Sequence, residues 1–292
     1  MAGNIRLLGG AMAARKVSGI ITGRYTIDGA GVRLFRLFSN AEAHLLDPFL
    51  LLDSFGSGNP DDYMAGFPWH PHRGIETVTY MINGEVDHAD SLGNSGSIKS
   101  GEIQWMTAGS GIIHQEMPKK TKGKSIGFQL WVNLPAKGKM CPPTYRGITS
   151  REIPETKIGD ATAKVVCGKV NGASGPVHGL AIEAEYLDIS MPAHSGMAHK
   201  TKPAFNIFAF VHEGEVSFGS ARTLVKEGQV ALFGAGGEIL AQAGASQAKF
   251  LLVSGIPLHE PIAWGGPIVM NTEQELAQAF DELRLGTFIK KK

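Results

Sequence analysis

The chain repeats itself. Two stretches about 130 residues apart, TVTYMINGEV (77–86) and IFAFVHEGEV (207–216), carry the same alternating apolar strand into the same Gly-Glu-Val turn. Each is followed by a second glycine step, KSGEIQWMTAG (99–109) and KEGQVALFGAG (226–236). A strand–turn–strand unit that recurs once points to a duplicated module, not to one long sheet. The stretch NLPAKGKMCPPTYRG concentrates Pro, Gly and Lys and reads as the junction. The expected organisation is an extension over 1–15, an N-terminal module over 16–140 and a C-terminal module over 141–292.

Between these landmarks the pattern is that of an all-β protein. Short apolar runs at Val32–Phe38, Thr77–Ile82, Phe128–Asn133, Phe205–Val211 and Phe250–Val253 are separated by Gly, Asn, Pro and Asp clusters. The 38 glycines and 15 prolines supply turns at short intervals, which favours barrels or sandwiches. One helix stands out near the end. Thr272 and Glu275 form a capping box, Leu276, Ala279, Phe280 and Leu283 follow at helical spacing, and Gly286 stops the run. Its expected role is to pack that apolar stripe on the body.

Composition removes several function classes. The formal net charge is +1, so no broad basic surface for nucleic acid is expected. The one basic cluster, Lys119, Lys120, Lys122 and Lys124, lacks interleaved aromatics and reads as a solvated loop. No apolar run is long enough to span a membrane. Residues 1–15, MAGNIRLLGGAMAAR, are short on continuous apolar residues and read as an extension, not a signal peptide. Two cysteines, Cys141 and Cys167, cannot build a disulfide framework, which fits a reducing, cytoplasmic setting.

The chemistry concentrates in four residues. His70 and His72 stand in FPWHPHRGIE, His114 and Glu116 in GSGIIHQE. On a strand, positions i and i+2 share a face, so each pair converges on one wall. Two such walls facing each other inside a barrel would bring three imidazoles and a carboxylate to one point, a donor set for a divalent transition metal. Four ligands leave coordination positions open for catalysis. A lone His-x-His is more often a surface or satisfied core pair; two pairs at comparable positions favour a metal. Cys141 and Cys167 lack ligand spacing and read as buried apolar residues. Aligning Gly84 with Gly214 puts Lys200 and Lys202 at the positions of His70 and His72. Aligning Gly101 with Gly228 puts Ala241 and Ala243 opposite His114 and Glu116. The second module is therefore expected to hold no metal, with His194, His199 and His212 as surface or locally hydrogen-bonded residues. Phe67, Trp69 and Met106 flank the four residues as candidate apolar walls of a pocket.

The segments DPFLLLDSFG (47–56), FPWHPHRGIETVTYMINGEVDHADSLGNSG (67–96), AGSGIIHQE (108–116), GFQLWVNLP (127–135) and GPIVMNTEQELAQAF (266–280) resemble the pirin family, a branch of the cupin superfamily. The resemblance runs from about Lys16 to Phe288. It implies a bicupin: two antiparallel β-barrels packed face to face, with one metal, iron(II), in the N-terminal barrel. Mn, Co, Ni and Cu suit the same donors. The family's metal ligands fall on His70, His72, His114 and Glu116. The general cupin pattern would nominate Glu76 as the acidic ligand; the pirin pattern favours Glu116 and leaves Glu76 to bond a ligand histidine or line the pocket. The activity implied is O₂-dependent cleavage of flavonols such as quercetin with release of carbon monoxide, Glu116 serving as general base. Other pirins imply a different class, an iron-dependent redox-sensing protein that binds a transcription factor or metabolic enzyme. A monomer is expected, because the paired barrels already cover one large face.

Overall fold

Alternation along the strand Ile75–Asn83 sorts its side chains onto two faces, and the architecture follows from what each face meets. In the computed structural model, which describes residues 13–290, Val78 and Tyr80 enter a core shared with Phe208, Phe210 and Leu251 of the second repeat. Met81 points the other way, into a cluster with Leu34, Phe55 and Val86 inside a barrel.

The strands of the first half are β1 (Val17–Thr22), β2 (Arg24–Asp28), β3 (Val32–Phe38), β4 (Phe49–Phe55), β5 (Phe67–His72), β6 (Ile75–Asn83), β7 (Glu85–Asp90), β8 (Ser95–Lys99), β9 (Ile103–Thr107), β10 (Ile112–Pro118), β11 (Ile126–Asn133) and β12 (Thr144–Ile148). Those of the second half are β13 (Glu155–Ile158), β14 (Ala161–Cys167), β15 (Lys169–Val170), β16 (Ala173–Ser174), β17 (Ala184–Met191), β18 (Gly196–Lys200), β19 (Asn206–Glu213), β20 (Glu215–Phe218), β21 (Thr223–Lys226), β22 (Gln229–Phe233), β23 (Glu238–Ala243), β24 (Ala248–Gly255), β25 (Ala263–Gly265) and β26 (Ile268–Met270). Two helices, α1 (Ala43–Leu46) and α2 (Glu273–Arg284), complete the set.

The duplication shows in the strand order, with only the outer strands β12 and β1 differently connected. One barrel combines a seven-stranded sheet, β12-β9-β6-β11-β4-β3-β2, with a four-stranded sheet, β5-β10-β7-β8. The other combines β1-β22-β19-β24-β17-β14-β13 with β18-β23-β20-β21. The two large sheets meet face to face, with Phe38 and Phe49 edge-on to Phe208 at 5.3 Å and Phe128 edge-on to Phe210 at 5.4 Å. In the second barrel, strands covered on both faces carry apolar residues almost throughout, which is why β19 and β24 read as near-continuous runs. The architecture is the all-β pair of barrels with a short terminal helix that the resemblance implied.

The boundaries expected from composition are crossed four times. β12 lies beyond residue 140 but pairs with β9 in the first barrel. β1 lies in the first half but pairs with β22 in the second barrel. Arg15, expected in an extension, is buried in that second barrel, donating to Thr201 Oγ1 and to the carbonyls of Gly234 and Lys202. Residues 1–12 of the expected extension lie outside the described residues. Finally, β25, β26 and α2 return to the first barrel. The capping box is formed, with Thr272 Oγ1 accepting from Glu275 N and a Glu275 carboxylate oxygen accepting from Thr272 N. Leu276 and Ala279 are buried against Ile268, Met270 and Phe288, while Phe280 stays 42% exposed.

This return is clamped at the turn after β5. The buried Arg73 guanidinium pairs with Glu282 at 2.7 Å, donates to the carbonyls of Ser110 and Phe288, and lies 4.2 Å from the Phe288 ring centre. Lys139 Nζ donates to Gly74 O, Val269 O and Asn133 Oδ1 at 2.7–3.0 Å. Gly74 has φ +77, and a Cβ there would fall 1.9 Å from Val269 O. Gly74→Ala is therefore expected to lose about 2–5 kcal/mol of stability in urea unfolding. Gly31→Ala, also at positive φ but with nothing within 4 Å, should lose only about 1 kcal/mol. Equal losses would contradict the clamp.

Candidate metal centre

The edge strand β5 tolerates Pro68 and Pro71 because its outer side forms no ladder. Its i, i+2 histidines share a face, and pairing with β10 sets His114 opposite His70. The register shifts between His114 and Glu116, so Glu116 stands opposite Phe67. The ring centres of His70, His72 and His114 lie 4.4–5.0 Å apart, and their ligand nitrogens fall within 4.8 Å of one another. Among the described residues this is the one cluster of its kind.

Hydrogen bonding orients two of the rings. His70 Nδ1 lies 2.8 Å from Pro68 O and His72 Nδ1 lies 3.0 Å from Pro267 O. A carbonyl only accepts, so in both rings Nδ1 carries a proton, which leaves Nε2 as the nitrogen that can offer a lone pair to a metal. His114 is buried with neither nitrogen partnered. Such an orphan costs about 1–3 kcal/mol unless something supplies its partner. Burial, reinforced by the neighbouring His70, pushes the His72 pKa down to about 3; burial and the adjacent imidazoles push His114 well below its ordinary value. Three convergent imidazoles, two of them held neutral by burial and one with both nitrogens unpartnered, fit a divalent transition metal.

The Glu116 carboxyl is close by but outside that 4.8 Å set, with Oε1 2.8 Å from Thr79 Oγ1. Burial raises its pKa, opposed by His70 and the Thr79 hydroxyl. His70, His72 and Glu116 open into a pocket of about 630 Å³. Its walls include Phe67, Trp69, Trp131 and Trp264, with Arg36, Asp53 and Asn40 at its polar side. Arg36 grips Asp53 through two hydrogen bonds of 2.9 and 2.8 Å.

Family models describe residues 31–132 as Pirin and residues 186–289 as the Pirin C-terminal cupin domain. A pirin-like protein of Caulobacter vibrioides is 43% identical over 279 residues, covering 95% of this chain and all of that one. The chain belongs to the pirin family. A Pseudomonas aeruginosa relative provisionally named quercetin 2,3-dioxygenase is 42% identical, across 93% of this chain and 97% of its own. A crystal structure of quercetin 2,3-dioxygenase from Acinetobacter baumannii matches with a TM-score of 0.87 at 32% identity, covering 94% of this pirin and 99% of that chain.

Of the residues singled out from sequence, the fold brings together His70, His72 and His114, sets Glu116 beside them, and puts Phe67 and Trp69 on the pocket wall. Trp69 is 55% exposed at the rim. Glu76 and Met106 do not join them. Glu76 shares the face of Val78 and Tyr80, the one turned to the other barrel. There its Oε1 accepts from Thr107 Oγ1 at 2.8 Å, Oε2 has no partner, and burial raises its pKa. Counting four residues from His72 fails because the Gly74 turn separates the strands and resets the face. Met106 packs with Leu50, Ile75 and Ile112, away from the pocket lining. His199 is buried and pairs with Glu185 at 2.7 Å. His212 is half-buried beside Phe128 and Asp188, between the barrels.

Sequence reading missed a polar row. Gln104, Thr79, Gln129, Asp53 and Arg36 stand in register across β9, β6, β11, β4 and β3. The equivalent row of the second barrel is Ala231, Ala209, Leu252, Leu187 and Val165. The glycine alignment already places Thr79 on Ala209 and Gln104 on Ala231, so the signal was present in the repeat. Trp264 and Pro267 had no such signal.

The triad makes the metal-free protein acid-sensitive. His72 titrates at 6.5 unfolded and near 3 folded, so below 6.5 the unfolded chain binds the proton first and stability falls with pH. At pH 5 this group alone removes about 2 kcal/mol relative to pH 7. Urea unfolding in chelator should show a drop at least that much smaller in His72→Gln than in the unsubstituted protein. Identical drops would contradict burial of a neutral imidazole.

Proposed function

We propose that this pirin is a metal-dependent dioxygenase that opens the central ring of flavonols such as quercetin. The observation that carries the reading is that His70 and His72 of the triad, with Glu116, line an open, aromatic-walled pocket of about 630 Å³, a volume suited to one small planar ligand. A closed site beneath a charged surface would instead have favoured the redox-sensing class. The named relatives support the enzymatic reading.

His70, His72 and His114 would hold the ion, with Glu116 as a fourth donor; iron(II) is the metal we favour, and Mn, Co, Ni and Cu suit the same donors. A bound divalent ion would supply Lewis acidity toward the hydroxyl and carbonyl oxygens of the flavonol. Glu116 takes the hydroxyl proton as general base, from the position where Thr79 steadies its carboxyl. Trp131, Trp264 and Phe67 flank the planar rings and exclude water. The proton-depleted substrate then reacts with O₂: both oxygen atoms enter the ring-opened ester and one ring carbon leaves as carbon monoxide. Free Cys141 and Cys167 support a reducing, cytoplasmic setting, and among the described residues no helix is long and apolar enough to cross a membrane.

Aerobic turnover of quercetin by protein loaded separately with Fe(II), Mn, Co, Ni and Cu tests the proposal. Substrate loss with carbon monoxide release is expected for at least one metal, and Glu116→Gln should lower kcat about 10²–10⁴-fold. One ion bound per chain without turnover under any metal would replace the enzyme with a redox-responsive binding protein.

A further inference from the structure

The Glu116 carboxyl is already engaged by the protein. Its Oε1 lies 2.8 Å from Thr79 Oγ1, and the three imidazoles converge without it. Thr79 Oγ1 also lies 2.6 Å from Gln129 Oε1. A hydroxyl has one proton and cannot donate to two oxygens. For an ionised Glu116 the amide must therefore be turned over, O and N exchanged: Gln129 Nε2 then donates to Thr79 Oγ1, and Thr79 donates to Glu116 Oε1. The geometry is rigid at each step. Thr79 and Gln129 are directly opposite on β6 and β11, Thr79 is buried, and its branched side chain has little rotamer freedom. No equivalent exists in the second barrel, where the matching pair is Ala209 and Leu252.

We infer that Thr79 is a positioning residue that competes with the bound metal for the Glu116 carboxylate, with Gln129 fixing the direction of its hydroxyl. A carboxylate held only by the metal is a poor base, whereas one drawn toward Thr79 keeps an oxygen free to take a proton. The inference rests on the metal-centre part of the proposed function and is independent of the substrate.

Co(II) affinity, measured by competition with a chromophoric chelator, tests it in a double-substitution cycle. Thr79→Val removes a hydrogen bond to a charged group, so it should tighten Co(II) binding tenfold or more while Glu116 is present. In a Glu116→Gln background the same substitution should change affinity less than about twofold. Thr79→Ser keeps the hydroxyl and should stay within about threefold of the parent. The Co(II) visible absorption should weaken in Thr79→Val, as the carboxylate raises the coordination number, and not in the double variant. If Thr79→Val does not fold, Gln129→Leu carries the same cycle, with the same sign. An equal effect in both backgrounds, or weaker binding in Thr79→Val, overturns the inference alone. Absence of Co(II) binding by the parent protein overturns the metal reading and the inference with it.

Discussion

Three imidazoles within reach of one another, two of them buried and held neutral, are the constraint on which the rest of this molecule turns. The rings must be aimed at one point, and the means of aiming explain features that would otherwise look incidental. The prolines of β5 belong to an edge strand, and one of them, Pro68, turns its carbonyl to His70. The carbonyl for His72 comes from Pro267, far along the chain. That residue is in place only because β25, β26 and α2 return to the first barrel and are clamped by Arg73, Lys139 and the side-chain-free Gly74. The terminal segment is thus both part of the hydrophobic body and part of the site.

One strand pattern, used twice, has produced barrels with opposite interiors. The second is filled by Phe218, Phe233 and Phe250, and its cross-strand row is apolar. The first spends the same row on Gln104, Thr79, Gln129, Asp53 and Arg36, and is open to solvent at its pocket. Buried polar groups cost stability unless they are partnered. The shared core between the large sheets, with its aromatic edge-to-face pairs, supplies apolar burial that the first barrel forgoes inside. Stability and chemistry are divided between two copies of one unit.

What could be read from the residues was whatever has a short period. The His-x-His pair, the run Val32–Phe38 and the Thr272–Glu275 capping box express local geometry and have the form in the fold that their spacing implied, whereas a register shift interrupts the His-x-Glu pair. The repeat showed the two barrels and, through Thr79 against Ala209, carried the polar row as well. Glu76 misled because face parity does not survive a turn at positive φ. Membership of β1 and β12, and the reach of Pro267 to His72, depend on pairings between distant segments that no local pattern encodes.

The central claim is that only the first barrel is built to hold a metal. Its most direct test is the metal content of protein loaded anaerobically with Fe(II) and freed of excess by gel filtration. One ion per chain is expected, falling to none in a His72→Ala/His114→Ala variant whose circular dichroism matches the parent. Two ions per chain, or one ion retained by the variant, would contradict the account.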